Sequence, residues 1–139
     1  MTVAPSIIII GAGISGLTLA HGLRKAGIPY QILERDSSIS ARSAGWALTI
    51  HWALSAFHDL IPEELWTRLP ETYVNREAVE KGENGTFTFF DLSNGEAKWK
   101  VPAAKRTRVS RDRLRRLLTT GVDIHVRGSV RNTSFESSS

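Results

Sequence analysis

Directly after the apolar run Ile7 to Ile10, the chain reads Gly11-Ala12-Gly13-Ile14-Ser15-Gly16, three glycines at the spacing G-x-G-x-x-G. Each glycine has a physical use at this spacing. Gly11 allows a tight turn off a strand, Gly13 lets backbone approach an anion, and Gly16 lets a helix pack close to a sheet. Exposed loop amides, the Ser15 position and the positive end of a helix dipole then suit a pyrophosphate. Glu34 stands 18 residues past Gly16, where a carboxylate accepts hydrogen bonds from an adenosine ribose. The chemistry implied is recognition of an adenine dinucleotide. An acid at position 34 disfavours a ribose 2′-phosphate, and Arg35 beside it weakens that exclusion without reversing it.

A G-x-G-x-x-G carries weight only in the right context, and the flanking residues supply it. Ile7 to Ile10 is continuously apolar, as suits a strand buried on both faces of a parallel sheet. From Ile14 the period becomes helical, with Leu17, Ala20, Leu23 and Ala26 on one face and His21, Arg24 and Lys25 on others. Gly27 suits the helix C′ position, and Pro29 blocks continuation. Tyr30 to Leu33 returns to strand character and ends on Glu34, completing a βαβ unit.

Beyond Glu34 the reading is coarser. A polar loop covers Asp36 to Ser43, followed by a strand at Gly45 to His51 and a helix at Trp52 to Leu60. Pro62-Glu63-Glu64 starts another helix. Glu71 to Glu83 shows no pattern. Thr86 to Asp91 and Ala97 to Val101 form a hairpin about Ser93-Asn94-Gly95. Ser110 caps a helix running to about Thr120, and Val122 to Val126 is a further strand. The fold expected is α/β, a Rossmann-like βαβ domain with an inserted hairpin over residues 1–127. Residues 128–139 are expected to be a disordered tail.

Several other chemistries lose their footing. The chain has no cysteine, which removes disulfides and thiolate chemistry. Its four histidines lack the spacing of a metal site, so no metal is expected. Ser15 does not sit in G-x-S-x-G and is no nucleophile elbow. Trp46, Trp52, Trp66 and Trp99 are read as core or hairpin packing, with a cofactor lining as the alternative. Residues 100–139 carry a net charge of +7 against −3 for residues 1–99. That basic half has no interleaved aromatics or DNA-binding motif, so no nucleic-acid partner is expected. The apolar runs are too short for a membrane span or a signal core, which leads to the expectation of a cytoplasmic protein.

From Ser6 to about Val126 the chain resembles the N-terminal part of the class A FAD-dependent monooxygenases, the para-hydroxybenzoate hydroxylase-like family. The resemblance rests on Ile7 to Gly16, Leu33-Glu34-Arg35, Ala41-Arg42-Ser43-Ala44-Gly45 and Val109-Ser110-Arg111-Asp112-Arg113-Leu114. It implies FAD as cofactor, with NAD(P)H as transient reductant and oxygen transfer to a small organic substrate. It implies further that Arg42 lies beside the cofactor and that Arg111, opening the R-x-x-L helix, contacts it. Arg113, Arg115 and Arg116 are expected to be solvated helix residues. An NAD-dependent dehydrogenase would share the loop and Glu34 but leaves Arg42 and the Val109–Leu114 segment unexplained. A non-catalytic dinucleotide-binding remnant is the other alternative.

The later Asp-Gly and Gly-Asp segments of that family, and its substrate sheet, are not found in this sequence. A truncated gene product is therefore the expectation, with activity of the short chain left open. The first strand should then lack a neighbour on one side, which predicts poor solubility of the chain on its own.

Overall fold

The computed structural model describes residues 7–41, 45–81, 88–100 and 106–126. The expected tail at 128–139, the candidate Arg42 and the N-terminal part of the first hairpin strand lie outside the described residues.

The opening unit is the βαβ that the sequence predicts. Strand β1 (Ile7–Ile10) leads through the glycine turn into α1 (Ile14–Lys25), and β2 (Tyr30–Glu34) returns parallel to β1. Isoleucine favours the pleated strand, and Gly11 at φ +98° makes the turn that a side chain would resist. Gly27 at φ +69° ends α1 in the left-handed conformation, after Arg24 and Lys25 in its last turn.

The elements that follow are β3 (Ala47–Ile50), α2 (Leu54–Leu60), α3 (Glu63–Arg68), a 3-10 turn (Leu69–Thr72) and α4 (Arg76–Glu80), of which α2 packs on α1. The hairpin β4 (Thr88–Phe90) and β5 (Ala97–Lys100) follows, then β6 (Thr107–Ser110), α5 (Arg111–Leu118) and β7 (Ile124–Val126). Strand β7 joins the other edge of β2, which gives a parallel sheet in the order β1-β2-β7. A separate antiparallel pair is formed by β3 and β6, with Leu48 opposite Val109. Two of these elements depart from expectation. Glu71 to Glu83, read as patternless, holds the short helix α4, capped by the Asn75 side chain accepting from the Ala78 N–H at 3.0 Å. Strand β6 precedes the Ser110 cap and was not expected as a strand.

The core lies between the sheet and its helices. Leu17, Ala20 and Leu23 of α1 meet Ile9 and Ile32 of the sheet and Leu114, Leu117 and Leu118 of α5. His21 corrects the expected helix face. It lies one turn after Leu17, is fully buried, and points its Nε2 at the Leu118 carbonyl at 2.9 Å. Ala26, expected inside, is exposed at the helix end. Trp46 and Trp52 are also exposed rather than in the core, whereas Trp66 stacks on His58 and Trp99 on Phe89.

Burial lowers the His21 pKa. The Leu118 carbonyl opposes that shift and the Arg24 charge adds to it, so the ring favours its neutral form. The unfolded chain therefore takes up a proton more readily than the folded one. Stability from this group is complete above about pH 6.5 and is lost as pH falls below it. His21→Gln keeps a donor for the carbonyl and removes the titration. Urea midpoints measured from about pH 7 to 5 should fall for the native chain and flatten for this variant.

Among the described residues, strand β1 pairs with β2 alone. Its alternating residues Ile8 and Ile10 are 59% and 79% exposed, so the face opposite α1 is uncovered. Exposed apolar area joined to a free strand edge favours self-association. Ile8→Thr combined with Ile10→Thr should lower the aggregate fraction seen by light scattering; an unchanged fraction would show that another surface drives it. No helix of the described residues is long and apolar enough to cross a membrane.

Candidate dinucleotide-binding site

A cleft of about 560 Å³ opens where β1 and β2 end and α1 begins. This is the place where open α/β sheets bind ligands, outside the carboxyl ends of their strands. Its size lies within the roughly 300–1,000 Å³ typical of ligand clefts. Gly11 and Gly13 line it from the loop, Glu34 and Arg35 from the end of β2, and Arg111 from the start of α5.

The three glycines do different things. Gly11 turns the chain, and its N–H donates to the Leu33 carbonyl at 2.7 Å, which ties the loop to β2. Gly13 is the N-cap of α1 in extended backbone, and a Cβ built on it would meet nothing within 4 Å. The space beside it is open cleft. Gly16 lies outside the cleft lining. A Cβ there would come within 2.2 Å of the Gly11 carbonyl oxygen and 3.2 Å of Ile9 Cγ2. Gly16 thus permits the close helix–strand contact, and Ser15 is exposed on the first turn of α1.

Glu34 reaches the loop because a strand alternates its faces. It shares the buried face of β2 with Ile32, and that face leads under the loop. Its Oε2 accepts from the Ala12 N–H at 2.7 Å and its Oε1 from the Asp36 N–H at 3.0 Å. Burial pushes this carboxyl up. The backbone N–H groups of Asp36, Ala12 and Arg35, with the Arg115 charge, outweigh burial and hold it below the ordinary glutamate value. The carboxylate is therefore ionised at neutral pH and faces the cleft as an acceptor.

Arg115 is the residue that sequence reasoning missed. It was expected to be solvated along with Arg113 and Arg116, yet its side chain is only 18% exposed. Its Nε donates to the Ala12 carbonyl at 2.8 Å, one guanidinium nitrogen to the Ile39 carbonyl at 3.4 Å, and the other lies 3.5 Å from Glu34 Oε2. The neighbouring arginines behave as expected on the surface. Arg116 pairs with Asp112, and Arg113 donates to the Glu71 carbonyl. A signal was available: Arg115 lies four residues after Arg111, so both share the helix face turned to the cleft. Ser110 starts that helix, its Oγ accepting from the Arg113 N–H at 3.4 Å. Arg35 is exposed beside Asp36 at 3.9 Å. Among the described residues no His, Asp and Glu cluster could hold a metal ion.

A parallel βαβ unit with a glycine turn and an acid ending the second strand defines a Rossmann-type dinucleotide-binding fold. Residues 9–69 match the family of NAD(P)-binding Rossmann-like domains. Beyond that general class, a protein of Arthroderma benhamiae assigned as an FAD-dependent monooxygenase is 56% identical over 94% of this chain and 30% of its own length. The FAD-dependent monooxygenase dbaB of Emericella nidulans is 47% identical over 86% of this chain and 30% of its own. A Photorhabdus luminescens protein assigned as an FAD-containing monooxygenase has a solved structure that superposes with a TM-score of 0.60. It is 31% identical over 84% of this chain and 28% of its own. Over this stretch the chain is similar to FAD-dependent monooxygenases. It spans about 30% of the length of the curated relatives it matches.

Proposed function

We propose that this chain binds FAD through its adenosine and pyrophosphate, as the cofactor-binding part of a flavin-dependent monooxygenase. One observation carries the reading. The glycine loop leaves open space at Gly13 for a phosphate, and Glu34, bonded to the neighbouring Ala12 N–H, is held ionised in the lining of the same cleft. The residues fit the group. Amides at the start of α1 suit the pyrophosphate, Glu34 suits the ribose hydroxyls, and the cations of Arg35 and Arg111 offset the phosphate charge. The Arg42 position, as the resemblance implies, would add a further cation beside the cofactor.

Bound flavin would supply electron transfer from NAD(P)H and reaction with oxygen, leading to oxidation of a small organic substrate. This chain's own residues bind and orient. The loop fixes the phosphates, and Glu34 fixes the adenosine end. The acid at position 34 also disfavours NADP at this same site, through repulsion of the 2′-phosphate.

The test is the visible spectrum of the chain after incubation with FAD and removal of free cofactor. Retained flavin bands near one equivalent support the reading. A colourless protein that binds NAD instead would point to the dehydrogenase-type alternative, and one that binds neither to a non-catalytic remnant.

A further inference from the structure

We propose that Arg115 is the positioning residue of this site, holding Glu34 and the Ala12 carbonyl so that the loop and the ribose-binding carboxylate keep one fixed relation. The inference rests on the proposed binding of FAD and adds a residue that neither motif contains.

Ala12 is held from both sides. Its N–H donates to Glu34 and its carbonyl accepts from Arg115, while Arg115 also lies beside that same Glu34 oxygen. The three groups close a ring linking the loop, the end of β2 and α5. A further bond from Arg115 to the Ile39 carbonyl holds the segment after β2 against the same helix. Two of the three guanidinium nitrogens donate to carbonyls of different segments, and the third lies 3.5 Å from the carboxylate. A planar fork can do this, whereas a lysine ammonium on a flexible stem cannot span the same three acceptors. Without the clamp, Glu34 retains its backbone donors but loses the guanidinium that also ties it to the Ala12 carbonyl. Affinity for the ribose hydroxyl should then fall, because the acceptor is no longer preorganised.

Arg115 also lines the cleft, so a direct charge effect on the pyrophosphate needs separating from positioning. FAD and an FAD analogue lacking the adenosine 2′-hydroxyl are titrated into the full chain, into Arg115→Lys and into Arg115→Met, following flavin fluorescence. The native chain should bind FAD on the order of 10-fold tighter than the analogue, as for a hydrogen bond to a charged acceptor. Both variants should discriminate by less than about 3-fold, and Lys should fail to restore FAD affinity although it keeps the charge. Variants that discriminate as the native chain does would overturn the inference. So would recovery of FAD affinity by Lys, which assigns Arg115 a direct electrostatic role. A native chain that binds FAD yet treats the two ligands alike overturns it too, since Glu34 would then not be reading the ribose. Loss of cooperative melting in both variants counts against it equally, making Arg115 a residue of the fold. A native chain that binds no FAD sinks the proposed function itself and is distinct from all these outcomes.

Discussion

Gly13→Ala is expected to leave the protein folded and to weaken FAD binding at least about 30-fold, or about 2 kcal/mol. The two halves of this result have separate causes. Gly13 sits in extended backbone with no atom near its missing Cβ, so a methyl group meets no part of the protein. The only folding cost is the poorer N-cap behaviour of alanine, no more than about 1 kcal/mol. The methyl does fill the space through which a phosphate must approach the loop amides, and those amides are the anion site. Thermal melting and a fluorescence titration on the same preparation separate the two effects. A variant that melts normally and binds FAD as tightly as the native chain would show that the phosphates lie elsewhere.

Gly16→Ala should do the reverse. Its Cβ would stand 2.2 Å from the Gly11 carbonyl oxygen, which is backbone and cannot rotate away. Either α1 lifts from the sheet or the Gly11 turn opens. The first separates Leu17 and Ala20 from Ile9 and Ile32 in the core. The second breaks the bond from the Gly11 N–H to the Leu33 carbonyl. Overpacking of this kind costs on the order of 3 kcal/mol, a large part of the stability of a small domain. The midpoint of thermal unfolding should drop by roughly 10 °C. A variant melting within about 2 °C of the native chain would show that this helix–strand contact accommodates a methyl group.

The contrast between these glycines shows what was legible in the sequence. Backbone geometry governs the loop, and backbone geometry is what glycine spacing reports. Strand β1, helix α1, strand β2 and Glu34 could therefore be placed from residue types alone. The Asn94-Gly95 turn and the Ser110 cap were readable for the same local reason.

What was missed depends on contacts distant in sequence. His21 looks polar and surface-bound within α1, yet α5 covers it and supplies the Leu118 carbonyl. Strand β6 alternates over only four residues beside a basic run, and its strand character comes from pairing with β3. Arg115 sits in a run of arginines, where a solvated side chain is the default expectation. Its spacing from Arg111 put it on the cleft face, but its bond to the loop, 103 residues earlier, forms only once the loop is folded against α5. Helix α4 is five residues long, too short for a period to show.

The central claim is that the Gly11–Gly16 loop and Glu34 receive the adenosine pyrophosphate of FAD. The most direct measurement follows the backbone amide resonances of the chain as FAD is added. Saturable shifts should concentrate at Gly11 to Ser15 and at Glu34 and Arg35, with ADP displacing the flavin from the same residues. Shifts confined to another surface, or no saturable shifts in these residues at FAD concentrations that colour the protein, would contradict the account.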